Sequence, residues 1–413
     1  MNPAPMRPLW QGRSLALIGI LLLAFSLRSA VASLSPLFDY IERDFALSAA
    51  AIGLIATAPP VCYAIFGLLT PAFERRIGLE PLAVLAFLIV AVGLIARSFA
   101  TNAVLMLVGT TIIFAAIGVG NILLPPLVKR YFPDRIGLIT GLYSATMAVS
   151  TFLPPLIAVP VADASNWRAS LGMWALFALV AIVPWIALIS RARASKLDID
   201  ESADVEPPNP RVFSRMLRLP AAWALMVGFG AAGVVAYTSF SWLPRILVDT
   251  TGVTPVAAGV LLSLFAAVGL PASLVVPLLV VRYHATRALY GVAVTAGLVG
   301  IAGLLWAPAL APWLWVLMLS GPTLLFPLSL VLLNVRTGTH EGAVALSGFV
   351  QSVGYGLGAV FPLTIGLIHE ATGSWTIPLV ILALVILTAI PAGVVASRRH
   401  TVEEEWERKH GVW

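Results

Sequence analysis

With 413 residues, 60% of them hydrophobic and only 11% charged, the chain falls outside water-soluble composition, in which about a quarter of residues are charged. A single cysteine, Cys62, excludes an intrachain disulfide and a cysteine-based metal cluster, so neither redox chemistry nor a metal cofactor is expected. The net charge of +6 is distributed as short basic clusters between apolar runs, which is the pattern of membrane-flanking loops and not of a nucleic-acid groove.

Along the chain, Arg7 and Arg13 precede an apolar stretch containing Ala30-Val31-Ala32, an imitation of a secretory signal. Arg28 inside that stretch argues instead for a retained first membrane span. About 20 apolar residues cross the ~30 Å hydrocarbon layer as a helix. On that basis the sequence predicts twelve spans, at 14–38, 49–71, 81–98, 103–128, 137–161, 168–190, 219–246, 255–281, 286–306, 312–333, 343–367 and 375–397. The expected fold class is an all-α membrane protein.

Placing both termini in the cytoplasm puts all 25 Lys and Arg on that side except Arg28, Arg43, Arg97, Arg168 and Arg245, as the positive-inside rule requires. Arg28 lies in the membrane and the other four in or beside outer loops. Residues 191–218 form the one long polar stretch and read as a cytoplasmic linker. The expected organisation is a six-helix half over 1–190, the linker, a second six-helix half over 219–397, and a cytoplasmic tail over 398–413.

The two halves repeat each other. Gly141-Leu142-Tyr143, Pro155 and Trp167 match Gly348-Phe349-Val350, Pro362 and Trp375, at offsets of 207 to 208 residues. Asp44, Ser48, Gly53, Pro71 and Arg76 likewise match Asp249, Thr254, Gly259, Pro277 and Arg282. Two pseudo-symmetric halves joined by a cytoplasmic linker form the parallel repeat of a rocking transporter, with its site expected near the midplane between them.

Through this repeat and topology the chain resembles the major facilitator superfamily over nearly its full length. Within it, Leu27-Arg28, Asp44-Phe45-Ala46-Leu47-Ser48, Gly120-Asn121, Leu123-Leu124-Pro125, Lys129-Arg130-Tyr131-Phe132-Pro133 and Thr140-Gly141-Leu142-Tyr143 resemble the cyanate/2-nitroimidazole porter group. That resemblance implies uptake of small anions or small polar organic compounds across a bacterial inner membrane. One departure stands out in the loop after the second span. Pro71 and Arg75 occupy positions where the superfamily pattern has Gly and Asp, and Leu79 stands where it has a basic residue.

A charge near the bilayer centre costs at least ~2.5 kcal/mol, so it normally faces a cavity. On the predicted first span, Arg28 sits ~3 Å outward of centre, too deep to reach the headgroups. All 19 acidic residues fall at span ends, in loops, in the linker or in the tail, and Asp39 is ~16 Å along the helix. The counter-charge to Arg28 is therefore expected from an anionic substrate held by the planar guanidinium fork. A structural arginine bonded to backbone carbonyls at helix breaks is the competing reading.

Further substrate contacts are expected from Asn121, Tyr143, Ser144, Tyr237, Gln351 and Tyr355. Tyr355 lies among Gly354, Gly356 and Gly358, a segment expected to bend. Tyr63 is a weaker candidate, and Trp242 reads as an interfacial belt residue.

His284, His340, His369, His400 and His410 are as peripheral as the acids. If transport is proton-linked, the proton is expected to travel on the substrate or through a gate residue; facilitated diffusion and anion exchange are the other couplings. The sequence thus describes a monomeric secondary active transporter of a small, anionic or polar solute, working by alternating access. The alternative is a proton-coupled multidrug or nitroheterocycle exporter. An enzyme is excluded by the lack of any His, Asp or Glu constellation at membrane depth, and a channel by the lack of a filter motif.

Overall fold

The computed structural model of the chain describes residues 13–132, 134–195 and 214–411. Arg7, Pro133, most of the predicted linker, and the side chains of Pro71, Arg75, Lys129, Pro125, His340 and Glu341 lie outside the described residues.

Among the described residues every regular element is helical, and twelve helices are long and apolar enough to cross a membrane. Their bounds follow the predicted runs closely. Thr286–Trp306 and Pro312–Leu333 coincide with prediction, whereas the first span extends to Glu42. In chain order the helices are α1 (Ser14–Ala32), α2 (Phe38–Glu42), α3 (Ala49–Ile77), α4 (Leu79–Ser98), α5 (Ala103–Tyr131), α6 (Ile136–Ala164), α7 (Trp167–Gly172) and α8 (Trp174–Ser195). The second series is α9 (Pro220–Thr251), α10 (Pro255–Ala267), α11 (Gly269–Tyr283), α12 (Thr286–Trp306), α13 (Pro312–Leu319), α14 (Leu325–Val335), α15 (His340–Thr372), α16 (Thr376–Ala396) and α17 (Val402–His410).

Local chemistry sets these ends. Asn102, Asn166, Thr254 and Thr339 each accept a backbone N–H from the first turn of the helix they precede. Both α9 and α15 stop at a left-handed glycine, Gly252 (φ 71°) and Gly373 (φ 64°), a conformation other residues adopt only with strain. Three spans are broken where proline removes a donor: a 3-10 turn at Ser35–Leu37 links α1 to α2, Val268 precedes Pro271 between α10 and α11, and Gly321–Leu324 separates α13 from α14.

The chain divides into two compact units, Met1–Leu47 with Cys62–Glu206, and Ser48–Val61 with Pro207–Trp413. Within the first, α1 packs against α6, α8 and α5. Glycines set the closeness. A Cβ at Gly120 of α5 would lie 2.8 Å from Leu27, and one at Gly19 of α1 would lie 2.9 Å from the Trp185 ring. At one end of this unit Glu80, in the first turn of α4, bonds Arg130 (3.1 Å) and the Tyr131 hydroxyl (2.7 Å), while Arg13 bonds Asp134 at 2.6 Å.

In the second unit α9 and α15 form the central pair, and residues 49–61 of α3 lie along α15. Thr57 donates to the Ala359 carbonyl at 2.6 Å, and a Cβ at Gly53 would meet the Leu363 backbone at 2.6 Å. Trp242 corrects the belt expectation. It is fully buried, donates from Nε1 to the Pro362 carbonyl at 2.8 Å and packs on Trp375, because its helix face points to α15 and not to lipid. The predicted tail is also more than a tail. It contains α17, held by a capping box between Thr401 and Glu404.

The internal repeat extends to single hydrogen bonds. Trp167 Nε1 donates to Asp44 at 2.9 Å, and Trp375 Nε1 donates to Asp249 at 2.9 Å. Each bond ties a loop end of one helix pair to the next. Trp167 and then Arg168, which also donates to Asp44, hold the Asp44 carboxyl below its usual range. A depressed carboxyl contributes stability above its unfolded value, about 3.9, and loses it as pH falls through the folded value. Asp44→Asn is therefore expected to lower the melting temperature at neutral pH, with the gap to wild type closing below about pH 4. A pH-independent gap, read by thermal melting in detergent, would contradict this assignment.

Candidate functional site

Arg28 is the middle residue of the 29-residue span Ser14–Glu42, so the observed extension of the first span moves it from slightly outside centre to the centre itself. Its side chain is half-buried and engages another group of the chain. The face of α1 that carries it includes the part-exposed Leu17, Leu21 and Phe25, whereas Ile20, Leu23, Leu27 and Ala30 fill the core. Leu27 packs on Gly120, which brings Arg28 of α1 and Asn121 of α5 to the same depth. Asn121 is half-buried, as are Tyr143 and Ser144 on α6, the helix against which α1 packs most extensively. Tyr143 is hydrogen-bonded to Thr140 and packs against the core of its unit. The four N-terminal candidates thus sit on three mutually packed helices of one unit.

The other three candidates cluster in the second unit. Tyr237 of α9 and Tyr355 of α15 meet edge to face with centroids 6.5 Å apart, and Tyr355 also meets Phe229 at 5.1 Å. Glycine places them. A Cβ at Gly358 would lie 3.2 Å from Tyr237, and one at Gly354 would lie 2.5 Å from Phe229. Gly354 and Gly358 serve close packing, whereas nothing lies within 4 Å of a Cβ at Gly356, and the helix runs unbroken through all three. Gln351, one turn from Tyr355, donates to Ser347 Oγ at 2.7 Å. Sequence reasoning missed Ser347, Phe229 and Phe326, the last meeting the Phe229 ring at a tilt with centroids 5.1 Å apart. Their signal was positional, four residues before Gln351 for the serine and across the glycine stripe for the phenylalanines. Tyr63 is buried against Phe114, which suits packing.

A second arginine, buried inside the protein, was also missed. Arg97, on the last turn of α4, is fully buried and donates to the Ala30 carbonyl at 3.3 Å, while Nε and Nη2 have no hydrogen-bond partner. Ala30 lies at the end of α1, where carbonyls lose their helical partners, so a cation is well placed there. Arg97 thus serves as a structural arginine that bonds a backbone carbonyl at a helix end. Chemically, the candidate residues offer guanidinium, amide, hydroxyl and aromatic surfaces. The described acidic side chains stay at span ends or outside them, and no group of three or more metal-ligating side chains occurs among the described residues.

The sequence model of the Major Facilitator Superfamily matches residues 20–359. The 2-nitroimidazole transporter of Escherichia coli (strain K12) is 31% identical over 392 residues, covering 94% of this chain and 96% of that protein. The cyanate transport protein CynX of the same organism is 25% identical over 364 residues, 87% of this chain and 91% of its own. Among solved structures, the nucleoside transporter NupG superposes with a TM-score of 0.75 at 11% identity, over 93% of this chain and 100% of that one, a likeness of fold. Twelve spans in a repeated helical architecture, the matching family model and full-length relatives together make this chain a membrane transporter of the major facilitator superfamily.

Proposed function

We infer that the transported solute is a small anion or small polar organic compound, that Arg28 is its anchor, and that transport is uptake by alternating access across a bacterial inner membrane, with both termini cytoplasmic and the chain acting as a monomer. The observation that carries this reading is the position of Arg28 at the middle of the first span, with the described carboxylates at span ends or beyond them. A guanidinium there attracts an anion and orients it through two parallel hydrogen bonds. The relatives whose names print cyanate and 2-nitroimidazole fit a solute of this size and polarity.

The same residues bear on coupling. No described histidine or carboxylate lies at the depth of Arg28, so a coupled proton travels with the substrate or through a group at a span end. The aromatic group Phe229, Tyr237, Phe326 and Tyr355 favours a second reading, in which a flat nitroheterocycle stacks in the second unit. Purified protein in liposomes distinguishes these. Saturable uptake of cyanate or a similar small anion, unaffected by excess 2-nitroimidazole, supports the first. Transport of 2-nitroimidazole that survives loss of Arg28 supports the second, and transport of bulky apolar drugs alone overturns both.

A further inference from the structure

The end of the second unit where α16 leaves the membrane holds a pocket that the transport reading leaves unused. Its walls are Ala221 and Leu225 of α9, Val395 and Ala396 of α16, Arg336 at the end of α14, and Arg398, His400 and Glu405. Arg336 is more than nine-tenths buried. It donates from Nη2 to the Ala396 carbonyl at 2.9 Å, and its Nε has no hydrogen-bond partner.

The pocket is built, since α17 closes one side of it by contacts that a disordered tail does not make. Val402 N–H donates to the Arg336 carbonyl at 2.9 Å. Glu403 accepts from the backbone of Gly338 (3.0 Å) and Thr339 (3.1 Å) and from the Thr339 hydroxyl (2.9 Å). Arg215 lies over the ring of Trp406.

Charge in this corner is unbalanced. Arg336, Arg398 and His400 line the pocket, and Arg399 is close enough to Arg336 to oppose its charge. Among the pocket's lining side chains the one carboxylate is Glu405, already engaged by the Ala221 N–H (3.2 Å) and by Lys409 (3.0 Å), while the neighbouring Glu403 is taken up by Gly338 and Thr339. Gathering guanidinium groups around a buried one is unfavourable unless an anion joins them. Arg398 and His400 follow directly on the span Thr376–Ala396, at headgroup level, while Leu225 and Val395 offer an apolar wall beneath.

We propose that this pocket binds a phosphate group, such as the phosphodiester of an anionic lipid headgroup, between Arg336, Arg398 and His400. Basic pockets at the ends of membrane helices have the charge and depth for such headgroups, and each basic side chain near an anionic surface strengthens binding roughly fivefold. The site is separate from the transport residues, so it stands or falls apart from the solute assigned above.

Native mass spectrometry and thermal melting of the full-length protein test it, using phosphatidylglycerol, phosphatidylcholine of matched chains, and inorganic phosphate. Wild type is expected to retain phosphatidylglycerol over phosphatidylcholine by about tenfold or more, and R398Q/R399Q to lose most of that preference while melting like wild type in phosphatidylcholine. Displacement of the lipid by millimolar phosphate, with a rise in melting temperature, identifies free phosphate as a ligand of the same site. Failure to displace assigns the site to lipid. Equal retention of the two lipids with no phosphate-induced shift, or an unchanged preference in R398Q/R399Q, overturns the proposal.

Discussion

Replacing Arg28 by alanine is expected to cut saturable uptake by about 100-fold or more, because a hydrogen bond to a charged group contributes ~1.5–3 kcal/mol and the guanidinium fork offers two to one anion. Arg28→Lys is expected to retain part of the activity, since it keeps the charge but loses the planar pair of donors. Asn121→Ala, at the same depth on α5, should reduce uptake less, as it removes a neutral hydrogen bond. Arg28 also engages its own chain, so folding must be read separately. Size-exclusion profiles and melting temperatures of the alanine and lysine variants serve that purpose, beside the thermal shift that substrate induces in each. A monodisperse Arg28→Ala protein that still takes up the anion at the wild-type rate removes the anchor role.

Arg28 was legible because its signal is one-dimensional: a charge in an apolar run is visible from sequence spacing alone. The same is true of the spans and of the repeat, where Asp44 with Trp167 and Asp249 with Trp375 turn a matched spacing into matched hydrogen bonds. Direction around a helix is another matter. Trp242 lies near the end of its predicted span, 219–246, and Arg97 on the last turn of α4, where position along the axis alone reads as headgroup level. Both turn inward, one onto Pro362 and the other onto Ala30, because the packing helix on that side is known only once the helices are assembled. The C-terminal helix was legible in part. Thr401 and Glu404 have the spacing of a capping box, but the partners of Glu403 lie 64 and 65 residues earlier, beyond any local pattern. How Arg28 is oriented depends likewise on long-range packing, here the approach of α1 to α5 at Gly120.

The helix pair α12 and α13 shows how much such approach is worth, and Gly300→Ala is expected to be among the most destabilising single-methyl changes in the chain. Without a hydrophobic force between helices in lipid, association depends on close packing, and small residues set the distance. Gly297, Gly300 and Gly303 recur every three residues along one side of α12. A Cβ on Gly300 would lie 2.4 Å from the Leu319 nitrogen and 2.7 Å from the Trp315 carbonyl oxygen, both backbone atoms that cannot rotate away. The neighbouring glycines tighten the same seam, with Pro322 Cγ at 2.5 Å from a Cβ on Gly297 and the Trp315 ring at 2.1 Å from one on Gly303. Trp315 is itself fixed by its Nε1 bond to the Ala307 carbonyl at 2.9 Å. Relief therefore requires the two helices to separate, and overpacking of this kind costs about 1–3 kcal/mol or more. Gly291 on the same helix provides the control, because nothing lies within 4 Å of its Cβ position. There alanine is expected to stabilise by up to ~1 kcal/mol through its helix preference. Melting curves in one detergent should move in opposite directions for the two variants. Equal shifts would mean that α12 and α13 do not meet backbone to backbone, and the seam formed by Gly297, Gly300 and Gly303 would then have to face elsewhere.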